Sequence, residues 1–328
     1  MKKTIRWGIV GPGIIAKKFA KAVQNVEGAE LVGVASRSYE KGKEFAEEFN
    51  IPNVFNGYEE MTKSPEIDAV YIATLHPFHK PCAELFLNAK KHVLCEKPVC
   101  VNAKEAKELL ECAKKNNVFL MEAMWTRFLP AIHEAVKIAK SGEIGEIKGV
   151  SADFCYPSSP EDCSKLFDNE LAGGALLDVG VYTLNFAAIF LGTNPESITS
   201  VSNVNYGVDC HTTSVLKYEN GVLATLTSAI DVSKPSNGYI YGTKGYIRMP
   251  FFYMAKELYV ADDYHKERNI EKPRIGEGFE EEIIEACNCI REGKTQSDIM
   301  PMSESIKILE QMDYIREQIG LKYPADDN

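Results

Sequence analysis

The stretch Ile5-Arg6-Trp7-Gly8-Ile9-Val10-Gly11-Pro12-Gly13-Ile14-Ile15-Ala16 decides the fold. Its first half is a short apolar run, as a buried strand would be. Its second half is the pattern G-x-G-x-x-A, placed where that strand turns into an amphipathic helix expected over residues 14–26. Each small residue has a task in a dinucleotide-binding turn: Gly11 for the tight turn, Gly13 for close approach of a pyrophosphate, Ala16 for close packing of helix on strand. The unpaired N–H groups at the start of the helix, from Ile14 and Ile15 onward, then face the phosphates with partial positive charge. A P-loop is excluded, because no Gly-Lys-Ser/Thr follows.

Outward from this turn, short apolar runs alternate with helix-period segments as far as residue 123. Strands are expected at 30–36, 69–73, 92–95 and 118–122, and helices at 39–49, 77–89 and 103–116. Alternation of this kind predicts βαβ units and an N-terminal Rossmann domain with a doubly wound parallel sheet, residues 1–123. The rhythm then changes. After a helix over 129–140 come period-2 runs at 147–154, 198–204, 212–218 and 222–230, broken by one apolar helix at 175–191. Strands without helices between them predict an α+β domain with a large open, mainly antiparallel sheet, residues 124–328. Two helices close the chain, at 279–291 and 303–319, and the last is free to pack back on the first domain.

Cofactor choice is read at the end of the second strand. NAD enzymes place an acidic residue about 20 positions past the glycines, where it receives the ribose hydroxyls. Ser36-Arg37 stands there instead, and a guanidinium can grip a 2′-phosphate at two points. NADP is therefore expected ahead of NAD. Further on, His92-Val93-Leu94-Cys95-Glu96-Lys97-Pro98 runs a buried strand into two charges at a carboxyl edge, where open α/β sheets bind ligands. In the second domain Asp178 and Tyr182 lie four apart in an apolar helix after Gly173-Gly174, and so share one face. Such a pair is either functional or a hydrogen-bonded core couple, since burial otherwise penalises both.

The glycine turn, Cys95-Glu96-Lys97-Pro98 and Gly173-Gly174-Ala175-Leu176-Leu177-Asp178-Val179-Gly180-Val181-Tyr182 together resemble the glucose–fructose oxidoreductase/inositol dehydrogenase/rhizopine-catabolism (Gfo/Idh/MocA) family over the whole chain. Within it, Glu122-Ala123-Met124-Trp125-Thr126-Arg127-Phe128-Leu129-Pro130 is similar to the dimeric dihydrodiol dehydrogenase and D-xylose dehydrogenase branch. That branch has tyrosine, as here, where many relatives have histidine followed by aspartate; this chain has Tyr182 and Asn185. The resemblance implies a cofactor loop at Thr74-Leu75-His76-Pro77-Phe78-His79, with His76 where many relatives have asparagine. It implies cofactor contacts from Thr74, Leu75, His76, His79, Glu96 and Lys97, with Arg127 a candidate for the nicotinamide end. It also implies hydride exchange with a carbinol carbon of an aldose, polyol or cyclic trans-diol. Tyr182 would move the proton, Lys97 would lower its pKa, and Asp178 would orient the hydroxyl or the tyrosine. Trp125, Phe154 and Phe279 are candidates for an aromatic wall against a sugar or ring diol, and each fits an ordinary core equally well.

Composition excludes other classes. A net charge of −10 with no basic cluster argues against nucleic acid. The apolar run after the N-terminal lysines breaks at once on glycines, unlike a signal peptide, and no run of about 18 apolar residues suggests a membrane helix. Nine cysteines at irregular spacing, without a CxxC pair, read as free thiols of a cytoplasmic protein. His76 and His79 lack companion ligands for a metal. A non-catalytic NADP-binding sensor would use the same glycine turn, but would have no need of Lys97, Asp178 and Tyr182. Finally, the 222–230 strand carries no charge on either face. Unless the loop around 156–160 covers the outer one, a homodimer or homotetramer through this sheet is expected.

Overall fold

The computed structural model describes residues 3–327, which divide into two compact units. The first runs to Cys100, resumes over Lys104–Trp125 and returns for Ile275–Ile306; the second takes Val101–Ala103, Thr126–Arg274 and the chain from Lys307 onward. A single cut after residue 123 therefore does not describe the division. The returning segment is held in the first unit by α8 (defined below), whose Arg291 donates to the Lys3 and Gly28 carbonyls at 2.9 and 2.6 Å.

In the first unit β1 (Ile5–Val10), α1 (Ile14–Val23), β2 (Ala29–Ser36), α2 (Tyr39–Phe49), β3 (Asn53–Asn56), α3 (Tyr58–Thr62), β4 (Ala69–Ile72), α4 (His79–Asn88), β5 (His92–Glu96), α5 (Ala103–Asn116) and β6 (Leu120–Ala123) alternate as expected. The sheet order is β3-β2-β1-β4-β5-β6, every pair parallel. The order reverses between β1 and β4, so right-handed crossovers place helices on both faces and open a crevice beyond the carboxyl ends of these strands. Strands covered on both faces need no polar alternation, and all four residues of β4 are buried. Trp7, Phe19 and Tyr71 fill the space between β1, α1 and β4, the last two rings stacked at 4.0 Å. β3 and α3 escaped the sequence reading because four and five residues are too short to show a period.

The second unit contains α6 (Pro130–Ser141), β7 (Ile147–Cys155), α7 (Val181–Leu191), β8 (Ser197–Asn205), β9 (Val208–Lys217), β10 (Leu223–Ala229), β11 (Gly238–Gly242), β12 (Gly245–Met249), β13 (Glu257–Asp262) and β14 (Glu267–Glu271). Then follow α8 (Glu280–Arg291) in the first unit and α9 (Met302–Gln318), most of which belongs to the second. The eight-stranded sheet runs β14-β13-β12-β11-β7-β10-β9-β8 and is antiparallel except at β7–β10. That exception follows from the connection: α7 and the β8–β9 hairpin carry the chain back, so β10 enters beside β7 in the same direction. The sequence reading ended at β10, because β11–β14 are short, glycine-flanked or, in β14, mostly charged.

On β10, Ala224, Leu226 and Ser228 are buried, whereas Leu223 and Thr225 are exposed. The segment from Tyr156 to Ser158 bonds to the carbonyls of Ala229 and Ile230. It continues the ladder there and leaves Leu223 and Thr225 uncovered. The helical stretch Asn169–Leu191 is long and apolar enough to cross a membrane by length and composition, contrary to the expectation that no stretch reaches that length. Of its most apolar window 78% is buried within the fold, as in a core helix. All nine cysteines are free thiols, seven of them buried.

Candidate active site

In the first unit the glycine turn adopts the geometry its composition demands. Gly11 has φ of 90°, a left-handed conformation, and a Cβ there would sit 3.2 Å from both the Ala73 carbonyl oxygen and Thr74 Cγ2. Gly13 caps α1 in an extended conformation without a side-chain hydrogen bond, and no acidic residue occupies the first turn. The start of α1 thus keeps unsatisfied N–H groups beside an 80% exposed Ile14, with Ile15 partly buried and Ala16 fully buried beneath. These residues fit a dinucleotide pyrophosphate, because the cradle is bare, positively polarised and closed to any side chain at Gly11.

Along the same carboxyl edge, Ser36 is buried and accepts from the Ser38 N–H at 3.2 Å, whereas Arg37 is exposed. The Arg37 guanidinium lies 5.3 Å from the ring centroid of Phe78, and Tyr58 is close enough to share a hydrogen bond with it. Phe78 and Tyr58 give the predicted phosphate-gripping arginine a rigid backing that sequence reasoning missed. Thr74, Leu75 and His76 are half-buried on the loop after β4. His79 is fully buried: Nδ1 lies 2.7 Å from the Pro98 carbonyl and Nε2 3.0 Å from that of Thr74. Burial, with smaller electrostatic contributions from His76 and Lys97, pushes its pKa down to about 4. A neutral ring donates from one nitrogen only, so His79 ties the β4 loop or the β5 loop at any moment and stands between the two. It is a pin for these loops, with no face turned to solvent.

Glu96, also a predicted cofactor residue, is buried. It accepts from the Tyr71 hydroxyl and from the Lys97 N–H at 3.2 Å. Burial raises its pKa against the opposing pull of Lys97 and Tyr71. Lys97 is the one partly exposed residue between the buried β5 and the buried Pro98–Val101 segment, and so the group this edge presents outward. Trp125 and Phe279, predicted as wall residues, stack at 4.9 Å, with Lys18 Nζ 6.0 Å from the Phe279 centroid. Both are largely buried.

The second unit carries the remaining predicted residues. Asp178 lies on a wide π-helical turn, Leu176–Gly180, that opens α7, and Tyr182 is one turn on. Asp178 Oδ2 accepts from the Tyr156 hydroxyl at 2.6 Å. Burial and the Asp178 charge together raise the Tyr156 pKa, so this phenol remains a donor to the carboxylate. The Tyr182 ring packs 5.3 Å from Phe154 and 6.1 Å from Tyr253, and Phe154 stacks on Tyr253 at 3.9 Å. Of the three predicted wall residues, Phe154 packs with Tyr182 in the second unit, and Trp125 and Phe279 stack on each other in the first. Tyr253 lies in a 3-10 helix, Phe252–Met254, too short to show a period, and Tyr156 follows a strand as one aromatic among several; neither announced itself. Arg127 is buried, its Nε donating to Asn185 Oδ1 at 2.7 Å. Its carbonyl accepts from His133 Nε2 at 2.9 Å. Among the described residues no group of three or more His, Cys, Asp or Glu is arranged to hold a metal.

A bare helix start at the switch point of a parallel sheet is the geometry of a dinucleotide-binding unit. Residues 5–124 match the oxidoreductase family with an NAD-binding Rossmann fold, and residues 132–248 match the Gfo/Idh/MocA C-terminal domain; the chain belongs to the Gfo/Idh/MocA family. A trans-1,2-dihydrobenzene-1,2-diol dehydrogenase of Mus musculus is 35% identical over 98% of this chain and 99% of its own length. The Homo sapiens protein of that name is also 35% identical, with the same coverage. Among solved structures, a 3-ketoreductase from Actinomadura kijaniata in complex with NADP and TDP-benzene superposes with TM-score 0.89 at 24% identity, over 97% of this chain and 98% of that one. A levoglucosan dehydrogenase in complex with NADH and levoglucosan gives 0.89 at 21%, over 97% and 98%. These likenesses bear out the α/β architecture.

Proposed function

We propose that this oxidoreductase is an NADP-preferring dehydrogenase or reductase acting on a CH–OH group of a cyclic trans-diol, aldose or polyol. The observation that carries the reading is the Asp178–Tyr182 helix face: a carboxylate held by Tyr156, and a tyrosine set among Phe154 and Tyr253. Aromatic faces suit the apolar side of a sugar or ring diol, and the two polar groups suit its hydroxyls. The full-length likeness to trans-dihydrodiol dehydrogenases supports the diol class.

In this reading Gly11, Gly13, Ile14, Ile15 and Ala16 hold the pyrophosphate, and Ser36 with Arg37 receives the 2′-phosphate. Thr74, Leu75, His76, His79, Glu96, Lys97 and Arg127 form or support the nicotinamide half of the site. When bound, the nicotinamide supplies the hydride acceptor for oxidation or the donor for reduction. In oxidation, the Tyr182 phenolate takes the hydroxyl proton of the substrate as the carbon loses hydride; in reduction, the phenol returns it to the carbonyl oxygen. An unperturbed phenol has a pKa of ~10, so the Lys97 ammonium is assigned the task of favouring the phenolate. Asp178 orients the substrate hydroxyl. Trp125 and Phe279 contribute apolar surface.

A spectrophotometric screen of trans-diols, aldoses and polyols with NADP and NAD in parallel tests this. Turnover is expected with at least one class. Tyr182→Phe and Lys97→Met should lower it at least ~100-fold while NADPH still binds. A Tyr182→Phe protein with parental turnover would remove tyrosine from the mechanism. The exposed apolar residues Val201, Val215 and Leu223 on β8, β9 and β10 support assembly into a homodimer or homotetramer through this sheet. Light scattering at the mass of a single chain would overturn that assembly.

A further inference from the structure

The chain entering the Asp178–Tyr182 segment is Gly173-Gly174-Ala175, which offers no side chain to satisfy the first N–H groups of a helix. The missing cap comes from another element. Asp209, fully buried on β9, accepts with one oxygen, Oδ2, from the Leu176 N–H at 2.8 Å and from the Thr212 hydroxyl at 2.8 Å. The double glycine is what lets it in. Gly174 has φ of 105°, and a Cβ there would lie 2.3 Å from Asp209 Oδ1; a Cβ on Gly173 would lie 2.5 Å from the Leu166 carbonyl oxygen. Beside it, the buried Tyr323 hydroxyl donates to the Gly173 carbonyl.

We infer that Asp209 is a positioning residue for the proton-transfer helix: a carboxylate supplied by β9 that fixes where and in which rotation the segment bearing Asp178 and Tyr182 begins. The physical case rests on leverage. Leu176 is two residues before Asp178 and six before Tyr182, so a slip or unwinding at Leu176 rotates both functional groups together. A misplacement of about 1 Å at such groups costs on the order of 100-fold in rate. A carboxylate is also the strongest available acceptor for a helix-start N–H, and its charge is favoured by the dipole there. Asp209 touches neither substrate nor cofactor in this account. The inference rests on the proposed role of Tyr182, and the test separates the two.

The experiment compares Asp209→Leu and Asp209→Asn with the parent in the full-length protein. Readouts are kcat, KM for the carbinol substrate, NADPH affinity and hydrogen exchange of the Leu176 amide. In Asp209→Leu, kcat should fall at least about tenfold and the Leu176 amide should exchange at least about tenfold faster, with NADPH affinity unchanged. Asp209→Asn keeps an acceptor of the same shape and should restore most of both. Parental kcat in Asp209→Leu, or a failure of Asp209→Asn to improve on it, overturns the inference. Should Asp209→Leu not fold, Thr212→Val removes one of the two donors that orient the same oxygen. It is expected to lower kcat about threefold and to speed Leu176 exchange; parental values of both overturn the clamp. If Tyr182→Phe retains turnover, the catalytic reading fails, while faster Leu176 exchange in Asp209→Leu still stands as the signature of the clamp.

Discussion

Among the helices that start from glycine-rich turns, α1 and the segment bearing Asp178 and Tyr182 start in opposite electrostatic states. The α1 start, after Gly11-Pro12-Gly13, has no side-chain cap and no acid in its first turn. The start after Gly173-Gly174 is closed by the Asp209 carboxylate, and Asp178 adds a second acid in its first turn. Glycine serves a different end in each. At Gly11 it lets the backbone turn tightly against the β4 loop; at Gly174 it makes room for Asp209 Oδ1. A glycine-rich helix start is therefore not an anion site in itself. It is one when nothing in the protein has already satisfied its N–H groups, and the first start meets that condition where the second does not.

The comparison can be broken by converting the first start into the second kind. Gly13 has φ of −97° and ψ of −172°, an extended conformation open to any residue, and a Cβ there meets only the Ala73 carbonyl oxygen at 3.9 Å. Gly13→Asp should fold, cap α1 and stabilise it by up to ~1 kcal/mol. It should also lower dinucleotide affinity at least ~100-fold, since two or more phosphate contacts worth ~1.5–3 kcal/mol each are lost. Calorimetric titration with NADPH and a thermal melt check both halves. Unchanged affinity in a folded variant would mean that the phosphates do not use this helix start.

A smaller effect is expected beside the cradle. Arg37 is exposed and backed by Phe78, and Ser36-Arg37 at the β2 end offers a guanidinium where an NAD enzyme would place an acid. The parent should bind NADPH more tightly than NADH, and Arg37→Ala should erase most of a difference of about 10- to 100-fold. Equal affinities in the parent would return the choice of cofactor to NAD.

The difference between the two starts also explains what the sequence disclosed. The α1 turn was legible because every requirement is local: strand, glycines and helix follow one another within 12 residues. Asp178 and Tyr182 were legible as a spacing within one helix. What holds them was not. Asp209 lies 33 residues beyond the N–H it caps, Tyr156 lies 22 before the carboxylate it serves, and Tyr253 lies in a 3-10 helix too short to show a period. Contacts made between distant elements leave no periodicity behind. Nor does a segment as short as α3, or a strand as charged as β14. Ionisable residues in apolar company were the usable signal, and Asp209 in the Val208–Cys210 run was one that went unread.

The finest test concerns the cost of the built-in anion. Burial raises the Asp209 carboxyl from 3.8 to about 7, with Leu176 N–H, Thr212 and Arg316 pulling the other way. Tyr323 and Cys210 are the other titratable groups that feel its charge. Because the folded pKa lies above the unfolded one, the folded protein holds a proton that the unfolded chain has released between those values. The stability this group contributes is complete below about pH 4 and is lost as pH rises through about 7. Asp209→Asn has no such proton. Its thermal midpoint should therefore gain on that of the parent as pH is raised from about 4 to 7, and the difference should level off above that range. A helix start with no carboxylate built into it offers the control: Gly13→Ala should show no pH-dependent difference across the same interval. A flat difference for Asp209→Asn as well would mean that Asp209 is ionised throughout, and that its three stabilising neighbours outweigh its burial.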